Sequence, residues 1–211
     1  MTKIQITKSI TFIVLLIASL ALVYFVNFRI IKASHYHYWG INYYLNRLLD
    51  QSYASWQTAL NTPNPYLDGT RADFVSTIEQ GFQAQLIYEP IKETHQQGIT
   101  ELKKAIANHP LNYFPYNALA EYYNIFYEFN PEYLKEAEQL AAKALALSPR
   151  RQQTLYIMAK TALLQNDTKG GYALFEQAVQ LNPAAGDPHF YFGILAFELE
   201  DKKKGLAELN R

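Results

Sequence analysis

The chain of 211 residues contains no cysteine and carries no net charge. The lack of cysteine excludes disulfide bonds and thiolate metal sites, but it fits both a reducing and an oxidising compartment. Lysine plus arginine equals aspartate plus glutamate, at 19 each, so no basic excess indicates a nucleic-acid partner. The length is sufficient for one modest folded domain with an appendage.

Histidine is also sparse, and its spacing does not favour a metal site. His35 and His37 are two residues apart, which on a helix directs them to different faces, and no cysteine or carboxylate lies beside them. His189 is expected to be a packing residue, and His95 and His109 to be surface or turn residues.

Motifs for catalysis or phosphate binding are missing. Gly170-Gly171 has no Gly-Lys-Ser after it and no strand before it, so it indicates a turn between helices and not a phosphate loop. We therefore expect no catalytic, cofactor-binding or metal-binding residue, and no enzyme activity from this chain by itself.

One long apolar segment is present, residues 9–28, which begins at Ser9 and ends at Phe28 without a charge. As a helix it would rise about 30 Å, the thickness of a bilayer's hydrocarbon core. Basic residues flank it on both sides: Lys3, Lys8, Arg29 and Lys32. We predict a single transmembrane helix in contact with the lipid bilayer. The basic head, residues 1–8, favours a cytoplasmic amino terminus and an extracytoplasmic body.

The alternative for this segment is a cleaved signal peptide, because a basic stretch precedes the apolar one. A signal peptide has an apolar core of about 7–15 residues and then a small-x-small cleavage site. Residues 9–28 exceed that length, and 20–28 offer no such site, so a retained anchor is the preferred interpretation.

The body repeats itself with a fixed period. Pro149 and Pro183 are 34 residues apart, as are Ala144 and Ala178. The unit 152–185 has large and small residues at the remaining positions of a helix-turn-helix repeat: Leu155, Met158, Ala159 and Phe175. An ordinary helical bundle has apolar residues at three- and four-residue steps but does not repeat an Ala-x4-Pro pattern at a fixed period.

Two further units surround this one. The unit 113–151 is longer, at 39 residues, and Asn130-Pro131 falls in the turn between its helices. The unit 186–211 starts the pattern again with His189, Phe192 and Gly193 and ends within its second helix. The aromatic cluster Tyr122, Tyr123, Phe126, Tyr127 and Phe129 leaves two interpretations open, packing of the extra residues or an exposed adhesive patch.

These features resemble the tetratricopeptide repeat family. The resemblance implies an all-α fold, an α-solenoid of antiparallel helix pairs in which each pair buries its apolar face against the next. We predict the following segments: a basic head 1–8, a transmembrane helix 9–28, a degenerate helical pair 29–61, a turn-rich linker 62–71, a degenerate repeat-like pair 72–112, and repeats 113–151, 152–185 and a truncated 186–211.

In that family the first helices of successive repeats line a concave groove that holds a peptide or another protein. The function implied is therefore a membrane-anchored scaffold with a protein or peptide partner. Transferred by position, the resemblance predicts these groove residues: Asn117, Glu121, Asn124, Tyr156, Lys160, Leu163, Phe190 and Ile194.

The overall layout is also similar to the carboxyl-terminal part of bacterial O-antigen ligase or polymerase-like membrane proteins with repeat tails. It shares a membrane helix, an aromatic stretch over 36–44, a degenerate repeat and then a clean one. This second resemblance implies an accessory fragment of a glycan-processing membrane protein, inactive without the multi-pass part.

Overall fold

The computed structural model describes residues 3–83, 91–183, 186–198 and 202–210. In these ranges the chain forms ten α-helices and one short 3₁₀ turn, and no strand. This confirms the predicted all-α class for the described residues. The helices belong to two compact units, Met1–Tyr88 and Glu89–Arg211.

The first unit begins with one continuous helix, α1 (Lys3–Leu45), of 43 residues. At 1.5 Å per residue it is about 65 Å long, roughly twice the hydrocarbon thickness of a bilayer. The helix continues past Arg29 and Lys32 because both are good helix formers and no proline interrupts the segment. The predicted membrane segment 9–28 is thus the first part of a longer rod.

The distal part of α1 packs against α2 (Leu49–Leu60), and α3 (Leu67–Gln83) contacts both helices. Gly40 of α1 faces the indole of Trp56, which is 1% exposed. The hydroxyl of Ser52 donates a hydrogen bond to the Gly40 carbonyl over 2.7 Å. The side chain of Trp56 therefore contacts the backbone of α1 at Gly40, the one residue of α1 that has no Cβ to keep the two helices apart.

We expect Gly40→Ala to destabilise the first unit by about 1–2 kcal/mol, because the added Cβ is a small-to-large change in a packed interface. That Cβ would lie 2.8 Å from Cε2 of Trp56. Gly69→Ala is the matched control, since its Cβ would meet no atom within 4 Å, and it should gain about 0.5–1 kcal/mol in helix propensity. Urea unfolding of the full chain in nanodiscs, followed by tryptophan fluorescence, measures both. Equal effects at the two glycines would contradict the close approach.

The stretch 62–71, predicted as a linker, divides between a turn and a helix. The Asn64 side chain accepts a hydrogen bond from the Tyr66 backbone amide at 2.8 Å, which closes the turn around the two prolines. Helix α3 then starts at Leu67. Residues 72–112, predicted as one helical pair, are divided between the two units, with α3 in the first and α4 in the second.

Within the described residues, the second unit contains seven helices: α4 (Ile91–Asn108), α5 (Tyr113–Ile125), α6 (Glu132–Leu147), α7 (Gln152–Leu164), α8 (Thr168–Leu181), α9 (Gly186–Glu198) and α10 (Lys202–Leu209). Helix α4 packs on α5, and α5–α6, α7–α8 and α9–α10 form consecutive antiparallel pairs. Side-chain caps fix the first turns of two of these helices, α5 and α8. Asn112 accepts from the Phe114 amide, and Asp167 accepts from the Gly170 amide.

Small residues let the helices of each pair approach closely, as the repeat pattern predicts. Ala120, Ala137, Ala159 and Ala178 are all fully buried. Between α9 and α10 the approach is closer still, because a Cβ on Gly193 would lie 2.6 Å from Cγ of Leu209 and 3.1 Å from the Gly205 carbonyl oxygen. Only glycine fits such a crossing without displacement of the partner helix.

The aromatic cluster packs around a buried histidine. Tyr122, Tyr123 and Phe126 are at most 1% exposed, and the imidazole of His95 stacks on Tyr122 with ring centroids 5.3 Å apart. His95 is 5% exposed, so its predicted surface position is wrong. Of the two interpretations of the cluster, packing of the extra residues therefore holds for its three innermost rings.

Hydrogen bonds satisfy both nitrogens of His95. The Tyr122 hydroxyl donates to the His95 carbonyl at 3.2 Å and lies 3.2 Å from Nδ1, while the Tyr133 hydroxyl lies 3.1 Å from Nε2. A neutral ring with its proton on Nδ1 fits all three contacts. Burial lowers the pKa of His95 to about 4, because removal from water disfavours the charged imidazolium.

His189 is buried as predicted, but it also has an ionisable partner. Its Nδ1 lies 2.5 Å from Glu208 Oε2, and its Nε2 lies 2.7 Å from the Pro183 carbonyl oxygen. A carbonyl only accepts, so Nε2 donates to Pro183, and Nδ1 faces the carboxylate. The pair connects α9 to α10.

Candidate partner-binding groove

The first helices of the three pairs, α5, α7 and α9, lie side by side in the second unit. Helix α5 contacts α7, and the rings of Tyr156 on α7 and Tyr191 on α9 are 4.9 Å apart. These three helices carry the eight residues predicted to line a groove. The structure gives these eight residues three different environments: buried, paired and exposed.

Asn117 and Asn124 are buried, at 3% and 2% exposure. The Asn117 amide donates to the Thr154 hydroxyl at 2.8 Å, and the Asn124 amide donates to the Thr161 hydroxyl at 2.9 Å. Their prediction as groove-lining residues is therefore corrected, since both hold α5 against α7 and neither can reach a partner. The Asn117 amide satisfies the fully buried Thr154 hydroxyl, whereas the Thr161 hydroxyl also donates to the Ile157 carbonyl at 2.9 Å.

Glu121 and Lys160 form an ion pair across the same two helices. The Lys160 ammonium donates to Glu121 Oε1 at 2.6 Å, and the side chains of Lys160 and Glu121 are 31% and 28% exposed. A pair that is about one-third exposed adds little to stability, typically under about 1 kcal/mol. It places one positive and one negative group, both partly exposed, on neighbouring first helices.

Tyr156 and Leu163 are partly buried at the edge of the core. Both pack against the cluster of Ala159, Phe175 and its neighbours. Leu163 also covers Gly171, since a Cβ there would lie 2.8 Å from the Leu163 Cδ2. Both side chains therefore contribute to the packing of α7 against α8.

Phe190 and Ile194 are 52% and 40% exposed, on α9. Phe114 of α5 is also exposed, at 46%, and was not among the predicted residues. It lies three residues before Asn117 on the same helical face, so extending the three- and four-residue steps backwards would have found it. The accessible side chains of the three helices thus include the Glu121–Lys160 ion pair and three large apolar groups, Phe114, Phe190 and Ile194.

A second depression lies on α4, α5 and α6, away from the predicted residues. It has a volume of 320 Å³ and is lined by Lys103, Ile106, Leu119, Glu136, Gln139 and Leu140. Burial and hydrogen bonding raise the pKa of Tyr123 above its ordinary value, in part because Glu136 at the rim accepts from its hydroxyl. This region carries charge but is shallow and open.

Among the described residues, no three histidine or acidic side chains come together as metal ligands. His35 lies against Trp39, with ring centroids 6.2 Å apart, whereas His37 lies against Trp56 and Asp73. The two histidines of α1 therefore diverge, as their spacing predicts.

Comparison with known proteins shows the fold and nothing finer. No family model matches the chain, and no curated protein is similar to it. Among solved structures, TTC0263, a tetratricopeptide repeat protein of Thermus thermophilus, has a TM-score of 0.61 at 18% identity, covering 83% of this chain and 87% of that one. PilF of Pseudomonas aeruginosa has a TM-score of 0.58 at 18% identity, covering 85% and 74%.

A tetratricopeptide repeat protein of Parabacteroides merdae also matches, with a TM-score of 0.58 at 13% identity, covering 85% of this chain and 64% of that one. The predicted tetratricopeptide-type fold is confirmed by these likenesses. They give no support to the layout resemblance to O-antigen ligase or polymerase-like proteins, which stays a prediction.

Proposed function

We propose that the chain is a membrane-anchored scaffold that binds a protein partner on the face formed by α5, α7 and α9. The observation that carries this proposal is the surface composition of that face. The Glu121–Lys160 ion pair is about one-third exposed, and Phe114, Phe190 and Ile194 flank it with large exposed apolar side chains. Exposed aromatic groups are enriched in protein-binding surfaces.

The chemistry of this face favours a segment of polypeptide over a small molecule. Its exposed apolar groups lie on α5 and α9, and its charged groups lie on α5 and α7. A ligand that contacts all of them has to extend across three helices, each about 10 Å wide. We infer a peptide with apolar side chains at both ends and a charged or hydrogen-bonding group in the middle.

The anchor in this proposal is the first part of α1. Large apolar side chains between Phe12 and Phe28 are 47–66% exposed, so no part of the described chain covers them. The helix is long and apolar enough to cross a membrane. We place the body on the extracytoplasmic side, as the charges of the basic head favour.

Continuity of α1 gives the anchor a mechanical role. In this proposal α1 leaves the bilayer and continues, with no intervening loop, to the point where Gly40 packs against Trp56 of α2. A scaffold built in this way holds its first unit at a fixed height above the membrane surface. A flexible linker would let that height vary over the length of the linker.

The experiment uses the full chain expressed in bacterial membranes. After a carbonate wash, the pellet should retain the chain, and its intact mass should include residues 1–28. From a detergent extract, the chain should capture a partner that Lys160→Glu loses, because this change places two carboxylates in contact on α5 and α7. Loss of at least about tenfold in captured partner is expected, which corresponds to about 1.4 kcal/mol.

Lys143→Glu is the matched control, since Lys143 is exposed on α6 and lies outside the proposed groove. Capture should survive this change. A chain released by carbonate, or found without its first residues, would refute the anchor. A partner retained equally by Lys160→Glu would refute the groove, and the two results are independent.

A further inference from the structure

Helix α1 carries a regular stripe of side chains along the part that follows the apolar segment. The stripe consists of six positions at alternating steps of three and four residues: Phe28, Ile31, His35, Tyr38, Asn42 and Leu45. This is the spacing of a seven-residue repeat, in which the first, third and fifth positions are a and the others are d. A straight helix drifts only about 20° per heptad from this spacing, so the six residues share one face. We name these six residues the seam.

The apolar members of the seam are open to solvent. Four large apolar side chains are 52–68% exposed: Phe28, Ile31, Tyr38 and Leu45. Trp39 and Ile41 occupy e and g positions, on either side of the seam, and are 36% exposed each. A contiguous exposed apolar surface of this kind marks a site of interaction more often than single exposed side chains do.

The contacts of α1 within the first unit lie on the opposite side of the helix. Ala33 and Gly40 are buried and stand seven residues apart, at f positions. At 100° per residue, an f position points about 170° away from the middle of the a and d positions. Trp56 of α2 contacts Gly40, and its ring also lies 5.1 Å from that of His37. Helix α2 therefore packs on one side of α1 and leaves the other side to a different helix.

Asn42 indicates which helix the seam accepts. A single asparagine at an a position specifies the register and the number of strands of a parallel coiled coil. In a parallel pair of identical helices each seam residue faces its own copy, so the Asn42 amides of the two chains lie side by side. Because an amide both donates and accepts, the two can satisfy each other. No residue of the seam is acidic, lysine or arginine, so identical seams do not place two such charges in contact.

The positions beside the seam also permit pairing with a second copy. In a parallel pair, each g side chain lies near the e side chain of the next heptad in the other helix. The resulting pairs are Asn27 with Lys32, Ser34 with Trp39, and Ile41 with Asn46. None of these pairs brings two like charges together.

We propose that α1 forms a parallel pair with α1 of a second copy of this chain, through the seam. The inference rests on the proposed membrane anchor, which gives both copies the same orientation. The seam spans 18 residues, or about 27 Å of helix, which is short for a free coiled coil. Confinement to one membrane raises the effective concentration of the two helices and so favours the pair. The dimer presents two copies of the partner-binding face.

Because the chain has no cysteine, single cysteines can report this pairing without background. The full chain is expressed in bacterial membranes, and the isolated membranes are treated with a mild oxidant. Tyr38→Cys and Leu45→Cys should form disulfide-linked dimers, since identical seam positions approach to within the reach of a disulfide. Arg29→Cys, exposed on another side of α1, and Ala54→Cys, exposed on α2, are the controls. They should react at least about tenfold more slowly, because their Cα atoms stay farther apart than a disulfide allows.

A second measurement needs no cysteine. Two differently tagged copies are expressed together, and one is purified from a detergent extract. Tyr38→Glu in both copies should lower recovery of the other copy at least about tenfold, because it places two carboxylates in contact. Tyr66→Glu is the matched control, at a 67% exposed tyrosine between α2 and α3, against 59% for Tyr38. It should leave recovery unchanged.

Several results would overturn the pairing. They are equal disulfide formation at seam and control positions, no dimer at all, a disulfide-free chain recovered equally with Tyr38→Glu and Tyr66→Glu, or a seam covered by a different protein. The anchor is judged separately by the carbonate wash. Retention in the pellet without a dimer would refute the pair alone, whereas release by carbonate with the Tyr38→Cys dimer intact would support the pair and refute the anchor.

Discussion

Phe126→Ala should lower the free energy of opening of α5 and α6 by about 3–5 kcal/mol, the cost of removing a large aromatic side chain from a packed core. Phe126 is 0% exposed, and its ring centroid lies 4.5 Å from that of His95 and 4.6 Å from that of Tyr122. Hydrogen exchange of the full chain in nanodiscs measures the effect on the α5 amides.

Phe129→Ala is the matched control for that measurement. Phe129 belongs to the same aromatic cluster but is 44% exposed, so its truncation should cost about 1 kcal/mol. Similar losses at the two positions would mean that the cluster is not packed as described. A loss limited to Phe126 would confirm that the extra residues of the first repeat have a core of their own.

Acidification should destabilise α4, α5 and α6 through His95. The folded pKa is about 4, against an ordinary value of 6.5, so the unfolded chain binds a proton first as the pH falls. The stability contributed by the neutral ring is complete above pH 6.5, decreases between pH 6.5 and 4, and is lost below pH 4. The full loss is about 3 kcal/mol, at 1.36 kcal/mol for each unit of pKa.

His95→Gln isolates this contribution, because an amide keeps a polar contact with the two tyrosine hydroxyls but cannot take up a proton. The opening free energy of the α5 amides, corrected for intrinsic exchange at each pH, should then depend much less on pH between 4 and 6.5. His109→Gln, at an exposed histidine in the turn after α4, should keep the original dependence. The same pH profile for His95→Gln and the unaltered chain would disprove the assignment.

Several groups could contribute to the pH profile apart from His95. Tyr122 and Tyr133 face the ring, and burial raises the pKa of Tyr133 further above this range. Glu136 lies farther out, beside Tyr123 and Tyr133, where it helps to raise the pKa of both phenols. The difference between the unaltered chain and His95→Gln cancels these shared contributions.

The sequence predicted the repeats well because the physical requirement is local and periodic. A helix pair needs a small residue at each close crossing, and Ala120, Ala159 and Gly193 recur where the chain has to meet this requirement. The sequence also predicted a long helix over the apolar segment 9–28, because twenty consecutive residues without a charge have few alternatives to a long helix.

The groove was harder to predict because exposure on a helix face depends on the neighbouring helix. Asn117 and Asn124 have the polarity and spacing of groove residues, yet Thr154 and Thr161 lie opposite them with the same seven-residue spacing. Matching the two spacings would have indicated an amide-to-hydroxyl ladder between helices. Only the distance between α5 and α7 shows whether these residues bond to the neighbouring helix or face a partner.

The burial of His95 could not be predicted from the residues near it in the sequence. Its neighbours on α4, Thr94, Gln96 and Gln97, are polar and give no sign of burial. The rings that enclose it come from α5 and the turn after it, about thirty residues later in the chain.

The amino-acid sequence by itself determined the helices, their period, the small residues at the crossings and the apolar segment at the start, because each depends on interactions within a few residues along the chain. The tertiary structure decided which polar side chains are buried, which aromatic groups enclose His95 and which apolar positions lie exposed on the last pair. Those outcomes depend on how one helix pair lies against the next, and the free energy of that contact is shared between residues that are distant in sequence.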